Sequence, residues 1–187
     1  MAGRFEGRIG WLVSPGGWRI PPSFIEYGLD NGAFTDWDEA AFYKLLDTAK
    51  ASGRKPLFVA VPDVVGSREK TLVSWAAHKE RVKAYGWPLA FVVQDGMTES
   101  DVPEDADWIF VGGTTEWKWR NLKRWQGKKL HVGRVNSYRM LWMAHKAGAL
   151  SCDGTGWFRG GDERLRELVE YLEESTHGKK QQEMFAA

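Results

Sequence analysis

Seven short apolar runs, each of strand length, constrain this chain more than any other feature of it. They are IGWLVS (9–14), FIEYGL (24–29), PLFVAV (56–61), PLAFVV (88–93), WIFVG (108–112), KLHVG (129–133) and ALSC (149–152). Gly, Pro, Asp or Asn bounds each run, as expected of strands that end in turns. Between most of them lie stretches with helical spacing. Residues 37–51 place Phe42, Leu45, Leu46 and Ala49 on one face, and residues 67–85 do the same with Leu72, Trp75, Ala76 and Val82. Residues 137–147 carry Leu141, Met143, Ala144 and Ala147 and stop at Gly148; residues 162–174 start at Asp162 and present Leu165, Leu168, Val169 and Leu172.

Strands that alternate with helices form a mostly parallel sheet, because a parallel neighbour is reached only through a long crossover. Seven strands suit either a compact (β/α) barrel of the TIM type or an open doubly wound sheet. The compact barrel is the expectation taken forward. At 187 residues the chain falls short of the roughly 250 of a usual barrel. Helices are therefore trimmed, or a strand is missing. Residues 15–23 and 95–107 read as loops. The reading gives one domain over 1–187, with 178–187 as a flexible tail.

Composition closes off other classes. With 43% hydrophobic and 27% charged residues, the profile is that of a folded domain. No apolar stretch approaches the roughly 20 residues of a membrane span, and the first residues lack the apolar core of a secretory signal. A single cysteine, Cys152, permits no internal disulfide and no cysteine cluster for zinc. The expected setting is the cytoplasm, and Cys152 is expected to serve packing.

Charge is uneven along the chain. Between Trp117 and Cys152 there is no Asp or Glu, but there are nine cations: Lys118, Arg120, Lys123, Arg124, Lys128, Lys129, Arg134, Arg139 and Lys146. The remaining 17 basic residues share the rest of the chain with all 25 acidic ones. Trp117, Trp119, Trp125 and Trp142 fall among the cations, a mixture suited to phosphates and unstacked bases. The plainer alternative is a solvated helix face with some of the rings in the core.

Chemistry gathers where the runs stop. Asp30, Asn31 and Gly32 follow the second run, and Pro62 and Asp63 the third. Gln94, Asp95 and Gly96 follow the fourth, and Gly112, Gly113 and Thr114 the fifth. Arg134 and Asn136 follow the sixth, and Asp153, Gly154 and Thr155 the seventh. In a parallel sheet these positions share the carboxyl end, where such folds build their sites. Turn formation alone explains any one of them, but less well all six together.

The ordered series LDNGAF, VPDVVG, FVVQDG, FVGGTTEWK, HVGRVNS and LSCDGTGW resembles the tRNA-guanine transglycosylase superfamily. The likeness is greatest to its shorter DNA-directed branch, which inserts 7-deazaguanines (the DpdA type), and it runs from about Ile25 to Arg159. The resemblance implies that Asp30 matches the aspartate of an Asp-Ser-Gly-Gly-Phe motif, although Asn31 and Ala33 stand where Ser and Gly are usual. It implies that Asp63 and Gln94 read the Watson–Crick edge of guanine, and that Gly112 and Gly113 let the backbone approach the base. It makes Asp153 the carboxylate nucleophile and Asp30 the general acid/base, though Cys152, Gly154 and Thr155 around Asp153 differ from the tRNA enzymes. Those enzymes carry a zinc site of three cysteines and a histidine, which one cysteine cannot supply. The expectation is therefore no metal, no cofactor, and DNA rather than RNA as partner. A free purine or 7-deazaguanine base would be co-substrate, in a bacterial or phage-infected bacterial cell.

The residue types suit that chemistry. A carboxylate accepts from guanine N1–H and its amino group, and an amide donates to O6. Paired carboxylates exchange a base at a sugar C1′ through a covalent intermediate. Lys118, Arg120, Arg124, Arg134 and Asn136 are candidate contacts to phosphate or sugar. His131, inside a run, reads as a core residue or a partner of a site residue. Three alternatives stand beside base exchange: a DNA glycosylase that leaves an abasic site in phage–host conflict, a catalytically inactive nucleic-acid-binding barrel, and a small-molecule barrel enzyme unrelated to nucleic acid.

Overall fold

The computed structural model describes residues 5–16, 19–35 and 37–185, with side chains described as far as residue 176. Its strands are β1 (Trp11–Val13), β2 (Tyr27–Leu29), β3 (Val59–Ala60), β4 (Leu89–Val93), β5 (Trp108–Val111), β6 (Leu130–Val132) and β7 (Ser151–Cys152). All are parallel and pair strictly in chain order, with Val13 opposite Leu29, Ala60 opposite Ala90, Phe110 opposite His131, and His131 opposite Ser151. A sheet in sequential order with a helix in most crossovers is the compact TIM-type α/β fold, here a curled half-barrel.

The sheet is buried on both faces, which is why its strands read as continuous apolar runs rather than alternating ones. One set of side chains (Val13, Leu29, Val59, Leu89, Phe91, Val93, Ile109, Val111, Leu130 and Val132) packs outward. It meets Phe42, Leu45 and Leu46 of α1 (Glu39–Ala51), Trp75 and Val82 of α2 (Arg68–Lys83), and Leu141 and Ala144 of α4 (Tyr138–Lys146). The alternate set, Leu12, Phe58, Ala60, Ala90, Val92, Trp108 and Phe110, forms a separate cluster on the concave side. The His131 ring joins it, 4.4 Å from Phe110 and 5.0 Å from Phe58. This inner cluster is the floor on which the site rests.

Helix starts follow the capping rule. Asp38, Ser67, Thr114 and Ser137 each accept a hydrogen bond from the backbone N–H three residues on. Two of the helices have no apolar periodicity to announce them: α3 (Thr115–Asn121) and the single turn α5 (Gly156–Arg159). The last helix, α6 (Gly161–Phe185), runs past the expected stop at 174. Of the tail expected over 178–187, only the helical backbone to Phe185 falls within the described residues.

No eighth strand pairs β7 with β1 among the described residues. Instead α6 packs on α4 and α5 and reaches the segment ahead of β1. There the Arg8 guanidinium donates to the Leu172 carbonyl and to Ser175 Oγ, both at 2.6 Å. The short chain thus covers the missing side with a helix. Cys152, on the outermost strand, keeps an exposed surface, although burial pushes its thiol up to about 12.

Candidate active site at the strand ends

Continuing the inward register past the strand ends gives Ser14, Asp30, Gln94, Gly112, Gly133 and Asp153. They form one ring above the Phe110–His131 floor. The two glycines make room for their neighbours. A Cβ on Gly112 would lie 2.8 Å from Gln94 Nε2, and one on Gly133 would lie 2.7 Å from the Phe110 ring. The strand-end residues singled out in the sequence do converge. The charge of Asp153 acts on Asp30, and the charge of Asp30 acts on Asp63.

Asp63 is the most buried of these carboxylates, at 8% exposure. Its Oδ1 accepts from Asn31 Nδ2 at 2.7 Å and its Oδ2 from Gln94 Nε2 at 2.6 Å. Both donors are neutral, so no cation offsets the loss of water. Burial pushes the Asp63 carboxyl up to about 6, with the Asp30 charge adding to the rise and the two amide donors opposing it. Asp30 is also raised, chiefly by burial and further by Asp153, while Ser14 Oγ donates to its Oδ2 at 3.0 Å. Asp153 Oδ1 meets His131 Nε2 at 3.2 Å and the backbone N–H of Arg134 at 3.2 Å, and the far side of that imidazole meets Ser151 Oγ at 2.8 Å. His131 is therefore both core residue and partner of Asp153, as its place inside a strand suggested.

Gln94 departs from its expected role. Its Oε1 accepts from the backbone N–H of Gly66 at 2.8 Å and of Gly113 at 2.9 Å, while its Nε2 is bound to Asp63. A carboxamide engaged on both ends ties the loops after β3, β4 and β5 together, with its oxygen shared by two N–H groups and one of its two N–H donors given to Asp63. The N–H of Gly113 is used by the same clamp. Asn136 Oδ1 accepts from Gly156 N at 2.8 Å, which ties the loop after β6 to the start of α5.

Several cations of the basic third are engaged within the chain. Lys118 is 1% exposed and donates to the Gly133 carbonyl, not to a surface ligand. Burial, and next the Arg134 charge, lower the Lys118 ammonium to about 8. Arg120 pairs with Glu116 at 2.7 Å, and Arg124 with Glu99 at 3.6 Å. Trp125 is fully buried and Trp117 and Trp119 pack on the core, while Trp142 packs against Tyr138, His145 and Tyr171. Three of the four interleaved rings thus lie in or on the core, and the half-buried Trp142 packs against the last helix.

No family model matches the chain, and no curated protein does. Among solved structures, the 3-hexulose-6-phosphate synthase of Salmonella typhimurium is 13% identical, with 81% of this chain and 74% of that one covered and a TM-score of 0.49. A second 3-hexulose-6-phosphate synthase is 12% identical over 79% and 73% at a TM-score of 0.46. The Bacillus subtilis YkuI protein, which has an EAL domain, is 16% identical over 87% and 47% at 0.40. None is a transglycosylase. The resemblance read from the motif series is corrected accordingly. Expected base exchange in DNA falls with it, as do the glycosylase and inactive nucleic-acid-binding alternatives. The physical reason is that a parallel half-barrel sends polar residues and glycines to one rim whatever it binds, and here the two groups assigned to reading guanine hold each other. At these scores and identities the neighbours supply no substrate.

Sequence reasoning passed over Ser14 and named Asn31 and Arg134 without the parts they play at this rim. Ser14 and Asn31 hold Asp30 and Asp63, and their signal is position alone, one at the end of β1 and one beside a carboxylate. Arg134 was singled out, but not its backbone: at φ +57° it is the one non-glycine residue with positive φ among the described residues. A left-handed arginine costs on the order of 1–2 kcal/mol. Its guanidinium donates to the Gly113 carbonyl and stacks over Phe34, 4.8 Å from the ring centroid. Both Arg134→Gly and Arg134→Ala lose those contacts, but only the glycine relieves the backbone. Arg134→Gly is expected to be the more stable of the two by about 1 kcal/mol in urea denaturation. Equal midpoints would remove the strain from the account.

Proposed function

We propose that this chain is an enzyme that performs general acid–base catalysis on a small polar molecule held at the barrel mouth. Asp30 is the proton-transferring group, and Asp153 orients or stabilises the reacting end. The observation that carries the reading is the meeting of Asp30 and Asp153 over one apolar floor, with Asp63 within reach of the Asp30 charge and, among the described residues, no ion-paired cation on Asp30 or Asp63. Such an arrangement is unfavourable for folding and tunes carboxyls toward neutrality, where proton transfer in both directions is efficient. Asp30 is the better candidate of the raised pair because it is half-buried and held by one side-chain hydroxyl and the N–H groups of Asn31 and Gly32 beside it, whereas two side-chain amides from other segments hold the more buried Asp63. Asp63 supports it, since the Asp30 charge acts on Asp63 and any proton change at one is felt at the other.

The test works on a mixture of candidate substrates. A fractionated metabolite extract is incubated with protein in heavy water and followed by mass spectrometry for new products or solvent-derived deuterium. Conversions are expected with the wild type and are expected to vanish with Asp30→Asn and Asp153→Asn, both shown folded by circular dichroism. Conversions that persist in both variants, or none with the wild type, would defeat the reading.

A further inference from the structure

We infer that the rim between β5 and β6 is an oxyanion subsite, in which Arg134 binds the phosphoryl or carboxylate group of the small ligand. The inference deepens the acid–base reading by naming a substrate class, and it rests on that reading only for where the other end of the ligand lies.

Two cations are placed side by side here. Lys118 Nζ and the Arg134 guanidinium are close enough to repel, and each is bound to a backbone carbonyl of the same rim, Gly133 for the lysine and Gly113 for the arginine. None of the ion pairs among the described residues includes either of them. Asp153 is a nearby carboxylate, and its Oδ1 is already engaged by His131 and by the N–H of Arg134. Asp95, whose Oδ2 lies against Gly113, is engaged by the N–H and hydroxyl of Thr114, so neither neighbouring carboxylate forms an ion pair with the two cations. Arg68, Lys79, Arg81, Arg120 and Arg124 meet carboxylates, while Arg54 and Lys50 bind carbonyls and lie over rings as Arg134 does, but singly and away from the strand ends that carry Asp30 and Asp153.

The geometry of Arg134 fits the role. A guanidinium has five N–H donors in a fixed fork, and a single hydrogen bond, to Gly113, uses one of them. Stacking on the exposed Phe34 ring fixes its plane without consuming further donors. Gly113 ends β5 and Phe34 lies just beyond β2, so the side chain extends over the mouth between them. A left-handed backbone is the conformation of a residue held in place against its own preference, and strain of this kind collects at ligand clamps. Its peptide N–H supports Asp153 while its side chain reaches for ligand, so anion binding and orientation of the carboxylate share one residue. Lys118, buried beneath, adds charge without access of its own.

The experiment is a titration of the isotope-labelled full chain with inorganic phosphate and, in a separate arm, with acetate, read from the amide resonances of Gly113, Arg134 and Asp153. Saturable shifts are expected in at least one arm, and which anion is tighter distinguishes a phosphoryl from a carboxylate ligand. Arg134→Gln and Arg134→Gly should each weaken the binding by ~10-fold or more, the usual loss when a hydrogen bond to a charged group is removed. Arg134→Gly keeps the variant set interpretable, because glycine suits the backbone there and the fold is retained. Asp30→Asn should bind the anion at least as tightly as the wild type, since it removes a neighbouring negative charge. No saturable shift with either anion, or shifts unaltered by both Arg134 variants, would overturn the subsite. Anion binding that survives while Asp30→Asn turns substrate over normally would instead sink the acid–base reading and leave the subsite standing.

Discussion

Replacing Gln94 by leucine is expected to cost about 3–5 kcal/mol of stability, a large share of the roughly 5–15 kcal/mol a domain has to lose. Leucine fills nearly the same volume, so the loss comes from polar groups. The N–H of Gly113 is buried and loses its acceptor outright, the half-buried contact from Gly66 loses part of its value, and Asp63 loses one of its two donors. An unmet buried donor costs about 1–3 kcal/mol, and a bond to a charged group is worth about 1.5–3 kcal/mol. Gln94→Glu separates these contributions. It keeps an oxygen for both glycine N–H groups but sets a second carboxylate against Asp63 at the 2.6 Å now spanned by a hydrogen bond. The pair must then share a proton. Its loss should be small near pH 5 and grow steeply toward pH 8, whereas that of the leucine variant should already be large at pH 5, where the glycine N–H groups have lost their acceptor, and grow less. Urea denaturation of both variants at the two pH values checks this. A leucine variant within 1 kcal/mol of the wild type, by the same magnitude argument, would mean the clamp holds nothing.

The same residue shows where reading the sequence succeeded and where it stopped. Gln94 was legible as an inward-facing strand-end residue, because PLAFVV fixes both the strand and its direction, and parallel order fixes which end carries chemistry. The convergence of residues 30, 63, 94 and 153 followed from those two facts. What the side chain does there was not legible. Whether a buried amide offers its dipole to a ligand or to two backbone N–H groups depends on the loops after β3 and β5, whose conformation rests on Gly66 and Gly113 at φ +72° and +73°. Residue spacing contains no such information. The basic third failed for a related reason. Periodicity assigned no helix to 115–121, so Lys118 was counted with the solvated cations, although one turn of α3 carries it under the rim. The sheet itself was read correctly because burial on both faces leaves a signal in every residue of a strand. The substrate was misread because a motif series made of turn formers and strand ends records the fold before it records the ligand.

Asp63 should make the protein more stable on mild acidification, the reverse of the usual carboxylate contribution. Its ordinary value of 3.8 rises to about 6 in the folded state, with burial as the leading cause. Below the ordinary value both states hold the proton and nothing is lost. As pH rises through the interval, the unfolded chain releases its proton while the folded one still holds it, so stability falls. Above the folded value the loss is complete, at about 3 kcal/mol for a rise of this size. Asp30 is raised as well and acts in the same direction. Asp101 opposes them at lower pH. Arg68 holds it down to about 2, so its contribution is present at neutrality and disappears as pH falls from 3.8 toward 2. Arg68 is 45% exposed, and the pair counts for less than its shift suggests. Asp105, lowered by Lys79, adds in the same sense. The two windows do not overlap, and stability should therefore peak at about pH 4, where the buried carboxyls are protonated and the paired ones still ionised. Melting temperature is expected to climb from pH 7.5 down to that peak and then drop. In Asp63→Asn the climb should be flattened, even though an amide facing the Gln94 or Asn31 NH2 lowers the absolute stability at every pH. An unchanged slope in that variant would assign the acid-side gain elsewhere and remove the strongest physical sign that the carboxylates at this rim are kept under tension with their fold.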